Sequence, residues 1–352
     1  MGRLNRPPLY FLMKVIKFLV KRVLLGLLVL VGLSIIIFML FQMMPGQPEK
    51  MVLGARASDE ALQRLRETMH LDDPLYLRYY YWGKGVLRGD LGYSLYSRRL
   101  VADDIKEYLP ASLELVLYAS IFMGIGGLIF GVLSGWYYNT WIDNIVRVIS
   151  YIGVCLPPFV VAIFFVLVFC YLTNIFPTMG RISSSVQPPP SITGLITIDA
   201  LITGNFPAFF SALKHLLLPS ISLALGGLST EARLTRTSIV DNLNKDFIAN
   251  EKSCGIPEKL IMFKYILKPS IIPTLAVFGA DAACIIGNSF LVESIFHWPG
   301  LSRYAMNAML RQDLNAISST VLVYGVIFVI FNFIVDLIVS FLDPTIIYER
   351  GQ

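Results

Sequence analysis

The chain is 352 residues long, 55% hydrophobic and only 15% charged, with a formal net charge of +5. Soluble domains carry about 25% charged residues, and a soluble chain this apolar would expose aggregating patches, so the composition excludes that class and points to an integral membrane protein. In that setting the positive balance speaks to orientation and gives no reason to expect a nucleic-acid partner.

Arg3, Arg6, Lys14, Lys17, Lys21 and Arg22 all precede the first acidic residue. The uncharged run from Val23 to Met44 is long enough to cross a hydrocarbon core of roughly 30 Å as a helix. It is too long for a signal peptide and lacks a small-residue cleavage site, so it reads as a retained first span with its N-terminus in the cytoplasm. Pro45-Gly46-Gln47-Pro48 ends that helix. Between Glu49 and Glu107 stand ten basic and ten acidic residues. Long loops are largely exempt from the positive-inside rule, so a small extracytoplasmic subdomain is expected over 45–110. Within it Ser58 to Met69 has helical periodicity, with Ser58 as cap and Ala61, Leu62, Leu65 and Met69 on one face.

The second span is expected from Leu113 to Tyr138. Gly127, Gly131 and Gly135 recur there at steps of four, which lets another helix backbone approach closely; packing is favoured over a substrate role. The third span, Val148 to Phe176, carries Pro157-Pro158 and should kink there. Ile192 to Phe210 is broken by Asp199, Gly204 and Pro207, and reads as an outside segment lying on or dipping into the membrane. The fourth span starts near Leu216 and continues helically through Glu231 and Arg233 into the cytoplasm.

Asp241 to Pro273 is a long charged stretch between two apolar segments. It reads as two short helices hinged at Cys254-Gly255-Ile256-Pro257, because glycine stops helices and proline starts them. From Arg233 to Lys268 there are seven basic residues against four acids, an excess that fits the cytoplasmic side. The fifth span, Ile271 to Val292, is dense in small residues and carries Asp281. The sixth, Ile317 to Leu342, carries Asp336. The sequence thus reads as an all-α membrane protein with six spans and both termini inside. Its parts are a tail and first span (1–44), the subdomain (45–110), a core (111–342) with a cytoplasmic loop at about 235–270, and a tail (343–352).

The chain has no phosphate-binding G-x-x-x-x-G-K-[ST] and no G-x-S-x-G nucleophile elbow. Ser134, in G-V-L-S-G, reads as a packing serine. Cys155, Cys170, Cys254 and Cys284 form no C-x-x-C pair, and His70, His215 and His297 are scattered, so no metal site is expected. Intramembrane carboxylates are costly and mark function by default. Asp281 is the deepest and, with Asn288, is the candidate for a translocation path; the alternative is a paired carboxyl holding helices together. Glu114 and Glu293 are placed near the outer surface, where the cost is small. Asp336 is placed to pair with a cationic group near the cytoplasmic end. An intramembrane enzyme and a structural scaffold stay open as readings of another class.

Several motifs in order carry a resemblance. They are M-P-G-Q-P (Met44 to Pro48), L-D-D-P-L (Leu71 to Leu75), L-R-G-D-L-G-Y-S (Leu87 to Ser94) and L-P-A-S-L-E-L (Leu109 to Leu115). V-E-S-I-F-H-W-P-G-L-S-R (Val292 to Arg303) and F-L-D-P (Phe341 to Pro344) follow. The chain resembles the B-type permease subunit of oligopeptide, dipeptide and nickel ABC importers, over nearly its whole length. The resemblance implies the type I importer fold in a bacterial or archaeal inner membrane. It implies a sister permease, two ATPase subunits that bind ATP and Mg, and an extracytoplasmic binding protein delivering short peptides, with nickel or a chelate as the alternative cargo. The charged stretch corresponds to the family's EAA loop, whose helix docks on the ATPase. Asp246, Phe247, Ile248, Glu251, Lys252, Gly255 and Pro257 are the implied coupling residues, with Phe247 and Ile248 as apolar anchors. Tyr265 and Pro269-Ser270 depart from the usual histidine and Asn-Ala.

Overall fold

The computed structural model describes residues 8–43, 58–68 and 72–342. Met44 to Pro48, Met69, Leu71 and the tail 343–352 lie outside the described residues. Twelve helices follow in order: α1 (Pro8–Met43), α2 (Asp59–Thr68), α3 (Leu75–Leu87), α4 (Val101–Trp136), α5 (Trp141–Cys155), α6 (Pro158–Leu172), α7 (Ile196–Ile202), α8 (Phe206–Leu243), α9 (Asp246–Ser253), α10 (Glu258–Ile295), α11 (Leu301–Leu310) and α12 (Leu314–Leu342). Among the described residues the one β contact is an isolated antiparallel bridge from Tyr93 to Leu100.

Among the described residues five helices are long and apolar enough to cross a membrane: Leu19–Leu40 within α1, then α4, α8, α10 and Leu314–Ile338 within α12. The pair α5 and α6 makes a sixth crossing if counted as one broken span. The expected kink at the double proline is a break of 106°. The local chemistry accounts for it. Leu156 precedes a proline and is extended (ψ 121°), and Pro157 is extended as well (ψ 143°). Pro158 then opens α6 at a position where its missing N–H costs nothing.

Two boundaries differ from the sequence reading. The second span begins at Val101, and α4 runs 36 residues straight through Pro110, roughly 54 Å at helical rise. Pro110 sacrifices one backbone hydrogen bond, but Ala111, Ser112, Glu114 and Leu115 beyond it are fully buried, and their packing carries the helix through. The fourth span begins at Phe206 rather than near Leu216. Asn205 caps it by accepting from the Ala208 N–H at 3.2 Å, and Pro207 sits in the first turn, so the proline read as a breaker is a starter.

The centre is α8, half of whose most apolar window is buried, against 11% for α1 and none for α12. Helix α4 lies along it, and the three glycines make the approach. A methyl at Gly127 would stand 2.6 Å from Glu231 Cβ, one at Gly131 would run into Thr235 Cβ, and one at Gly135 would stand 2.8 Å from Ile239 Cγ2. Steps of four on α4 thus meet steps of four on α8, the close crossing of small-residue faces. Leu115, Met123, Leu216, Ala224, Ile286 and Trp298 fill the main core between α4, α8 and α10. At the rim Arg22 of α1 pairs with Asp336 of α12 at 2.8 Å.

Candidate functional site

The charged stretch folds in one piece with the core. Helix α8 stops at Asn244, Lys245 is extended, and α9 covers eight residues. Asp246 in its first turn and Lys252 in its last complement the helix dipole. The chain then turns at Gly255 with φ +76°, a left-handed value that disfavours a side chain. Pro257 precedes α10, which runs 38 residues with a π-helical stretch at Ile261–Ile266 near its start. The second short helix is therefore the beginning of the fifth span, and no joint separates them.

Ile248 is 1% exposed and packs with Ile239, Ile261, Met262 and Ile266. It is the sole buried residue of α9. Expected as an apolar docking anchor, Ile248 instead has its side chain turned into the protein. Neighbouring helical residues point about 100° apart, which lets Ile248 turn inward while Phe247 turns outward. Ile248 fastens the helix to the molecule, and Phe247, 40% exposed, faces away. Asp246, Lys252, Gly255 and Pro257 are exposed too, and Glu251 is half-buried. Beneath α9 a groove of about 190 Å³ is lined by Trp136, Leu243, Lys252, Glu258, Ile261, Met262 and Ile266.

Polar bridges fix α8 against α10 just above this hinge. Asn242 Nδ2 donates to Ser270 Oγ at 2.8 Å, and the hydroxyls of Thr235 and Thr274 lie 2.9 Å apart. Ser270 is one of the positions where the sequence departs from its family pattern, and here it accepts from Asn242. A third tie was missed by sequence reasoning. Asp143 of α5 is fully buried and accepts from Arg236 Nε at 2.6 Å and Nη2 at 2.8 Å, and from Ser134 Oγ at 2.6 Å. The available signal was that Asp143 is the one acid between Glu114 and Asp199.

Further along the molecule α10 presents Asp281, Cys284, Ile285 and Asn288 to a cavity of about 380 Å³. Its other walls are Met123, the Val154–Pro158 break, and Leu223, Gly226, Gly227 and Thr230 of α8. Asp281 and Asn288 are seven residues apart, two turns, so one helix face carries both. Next to it Glu231 is fully buried, and both its carboxyl oxygens lack a hydrogen-bond partner.

At the opposite end Glu114 and Glu293, expected near the outer membrane surface, are completely buried within the protein. Glu293 accepts from Ser112 Oγ at 2.6 Å and from the Arg303 N–H at 2.8 Å, and the Leu301 N–H donates to Ser112 Oγ at 2.8 Å. Trp298 Nε1 donates to the Ala111 carbonyl at 2.8 Å. Two motifs far apart in sequence thus form one lock between α4, α10 and α11. Glu114 pairs with Arg181 at 2.5 Å and accepts from the Thr197 N–H and hydroxyl, both at 2.7 Å. Burial is tolerable because each carboxylate is saturated with donors. Asp199 of α7 is held the same way: burial pushes its carboxyl up, but donors from Ile192, Thr193 and Gly194 outweigh that and leave it below the ordinary range.

Residues 127–348 match the family described as binding-protein-dependent transport system inner membrane component, and residues 15–116 match its N-terminal family. A dipeptide transport system permease protein of Alkalihalophilus pseudofirmus is 35% identical over 93% of this chain and 98% of its own length. A probable D,D-dipeptide transport system permease protein of Escherichia coli is 32% identical over 92% and 96%. A glutathione transport system permease protein of Shigella flexneri is 27% identical over 95% and 100%.

Proposed function

The chain belongs to the family of binding-protein-dependent transport system inner membrane components, and from that premise we propose that it is a permease subunit of an ATP-driven importer of short peptides. The observation that carries the reading is mechanical. A short helix with its outer face exposed, Phe247 in its first turn, is fastened through Ile248 to the root of a helix that reaches the Asp281 and Asn288 cavity without interruption. Push on such a helix and the span moves as a rigid body. ATP is hydrolysed on separate subunits with Mg, and α9 receives the motion there. Asp246, Glu251 and Lys252 form a charged rim around Phe247, an arrangement that gives specificity without a large interface.

In this reading a sister permease completes the path, and an extracytoplasmic binding protein delivers cargo to the side bearing 45–110. Both termini and α9 are cytoplasmic. Peptides are favoured over nickel because relatives bear the names of dipeptide, D,D-dipeptide and glutathione transport systems. An enzyme reading draws no support, since the family is one of transport permeases.

The test is reconstitution of the full importer in vesicles, with uptake of labelled dipeptide and of nickel measured side by side. Dipeptide uptake that requires both ATP and the binding protein supports the reading. Nickel uptake without dipeptide uptake overturns the cargo assignment, and no uptake of either overturns the importer. A cysteine at Ser253, with Cys254 first replaced, tests orientation: it should resist an impermeant thiol reagent added outside.

A further inference from the structure

Helices α5 and α8 enclose a third pocket, of about 180 Å³, one or two turns from the cavity of Asp281 toward the α9 end. Arg147, Ser150 and Tyr151 line it from α5, and Arg233, Arg236 and Thr237 from α8. Three guanidinium groups here answer to one carboxylate, Asp143, which leaves a formal excess of two positive charges. That carboxylate is already saturated by Arg236, Ser134 and the Asn139 N–H. Arg147 Nε sits 3.7 Å from it and is buried with no hydrogen-bond partner, while its Nη2 donates to Asn144 Oδ1 and leaves Nη1 open. The Arg233 side chain has no ion pair or hydrogen bond among the described residues; its backbone carbonyl accepts from the Thr237 hydroxyl at 3.0 Å. Arg236 lies over the Tyr138 ring at 5.2 Å, which fixes its plane.

The surroundings say what kind of anion comes here. Ile145, Val148, Ile149 and Ile152 of α5 are each about half exposed, an apolar face of the kind that meets hydrocarbon. Tyr137, Tyr138 and Trp141, the last 70% exposed, mark the end of that face. Such aromatic groups sit at the level of lipid headgroups. Arg147 is six residues from Trp141 in the same helix, roughly 9 Å along its axis, and arginine reaches headgroup depth by snorkelling. Basic pockets between spans at this depth suit anionic headgroups.

We propose that the pocket between α5 and α8 binds the phosphate of an anionic phospholipid, held by Arg147 and Arg233 with the hydroxyl of Ser150 in support. Guanidinium and phosphate match in bidentate geometry, so both arginines can engage without disturbing the Asp143 to Arg236 pair. A lipid seated there bridges the broken span and the central helix close to the hinge.

The experiment is native mass spectrometry of the full-length protein in detergent, titrated with phosphatidylglycerol or phosphatidylcholine at matched ratios. The variant is R147Q/R233Q, which leaves Asp143, Arg236 and Ser134 intact, and thermal unfolding confirms that it folds. Phosphatidylglycerol should be retained about tenfold or more over phosphatidylcholine, and the double variant should lose that preference, at about fivefold per arginine. Equal retention of both lipids, or an unchanged preference in the folded variant, overturns the proposal. Displacement of the lipid by millimolar inorganic phosphate or by dipeptide assigns the arginines to a soluble anion or to cargo, and overturns the lipid source.

Discussion

Replacing Ile248 by alanine isolates what fastens α9 to the molecule. The side chain is 1% exposed and is the one buried group of an eight-residue helix. A helix that short is marginal by itself in water, so its stability comes from this contact. Three carbons are removed, worth about 2.4 kcal/mol in transfer at ~0.8 kcal/mol each. With an added cavity term the loss is about 2–4 kcal/mol. At 1.4 kcal/mol per tenfold, local opening of α9 rises by about 30- to 700-fold. Hydrogen exchange reads this directly: amides of 246–255 should lose protection, while the α4, α8 and α10 core, which does not include Ile248, keeps its own. Phe247→Ala is the counterpart. It faces solvent, so protection should stay within about 0.5 kcal/mol of wild type while coupling to the ATPase falls. Unchanged protection in Ile248→Ala, or a global loss from it, refutes the reasoning.

Gly131→Ala should destabilise the chain by about 1–3 kcal/mol through overpacking on α8, whereas Gly32→Ala, with open space around it, should be near neutral; melting temperatures in detergent compare them. Asp143→Ala strands the largely buried Arg236 and should cost about 3–5 kcal/mol; a paired replacement of both by apolar residues should recover most of it in the same melts. For Asp199 the native pKa is depressed, so the unfolded chain binds more protons at low pH. Its stabilisation is complete above the ordinary carboxylate range and is lost as pH falls through that range to its native value. Exchange protection of 192–199 should fall on acidification in wild type and be flat in Asp199→Asn.

The membrane class, the crossings and the hinge glycine were legible because they are written in local signals: apolar runs, charge excess, and Gly255 two residues before Pro257. The close face of α4 was legible from its glycine spacing. What was not legible depends on partners distant in sequence. Glu293 and Glu114 look like surface carboxylates until Ser112 and Arg303, or Arg181 and Thr197, are brought to them. The Asp143 to Arg236 pair spans 93 positions and leaves no periodic trace. Pro207, read as a breaker, serves as a helix start, and the second span begins before Pro110 because packing carries the helix through it. The burial of Ile248 was not legible because it depends on Ile239, Ile261 and Ile266, which are distant in sequence.

The central claim, that α9 carries the ATPase stroke into the spans, is most directly tested by measuring ATP hydrolysis and dipeptide uptake in the same vesicles with Asp246–Gly255 deleted. The account predicts an inserted, folded chain whose uptake falls to background and whose partners' hydrolysis no longer responds to the loaded binding protein. Uptake that survives the deletion contradicts it.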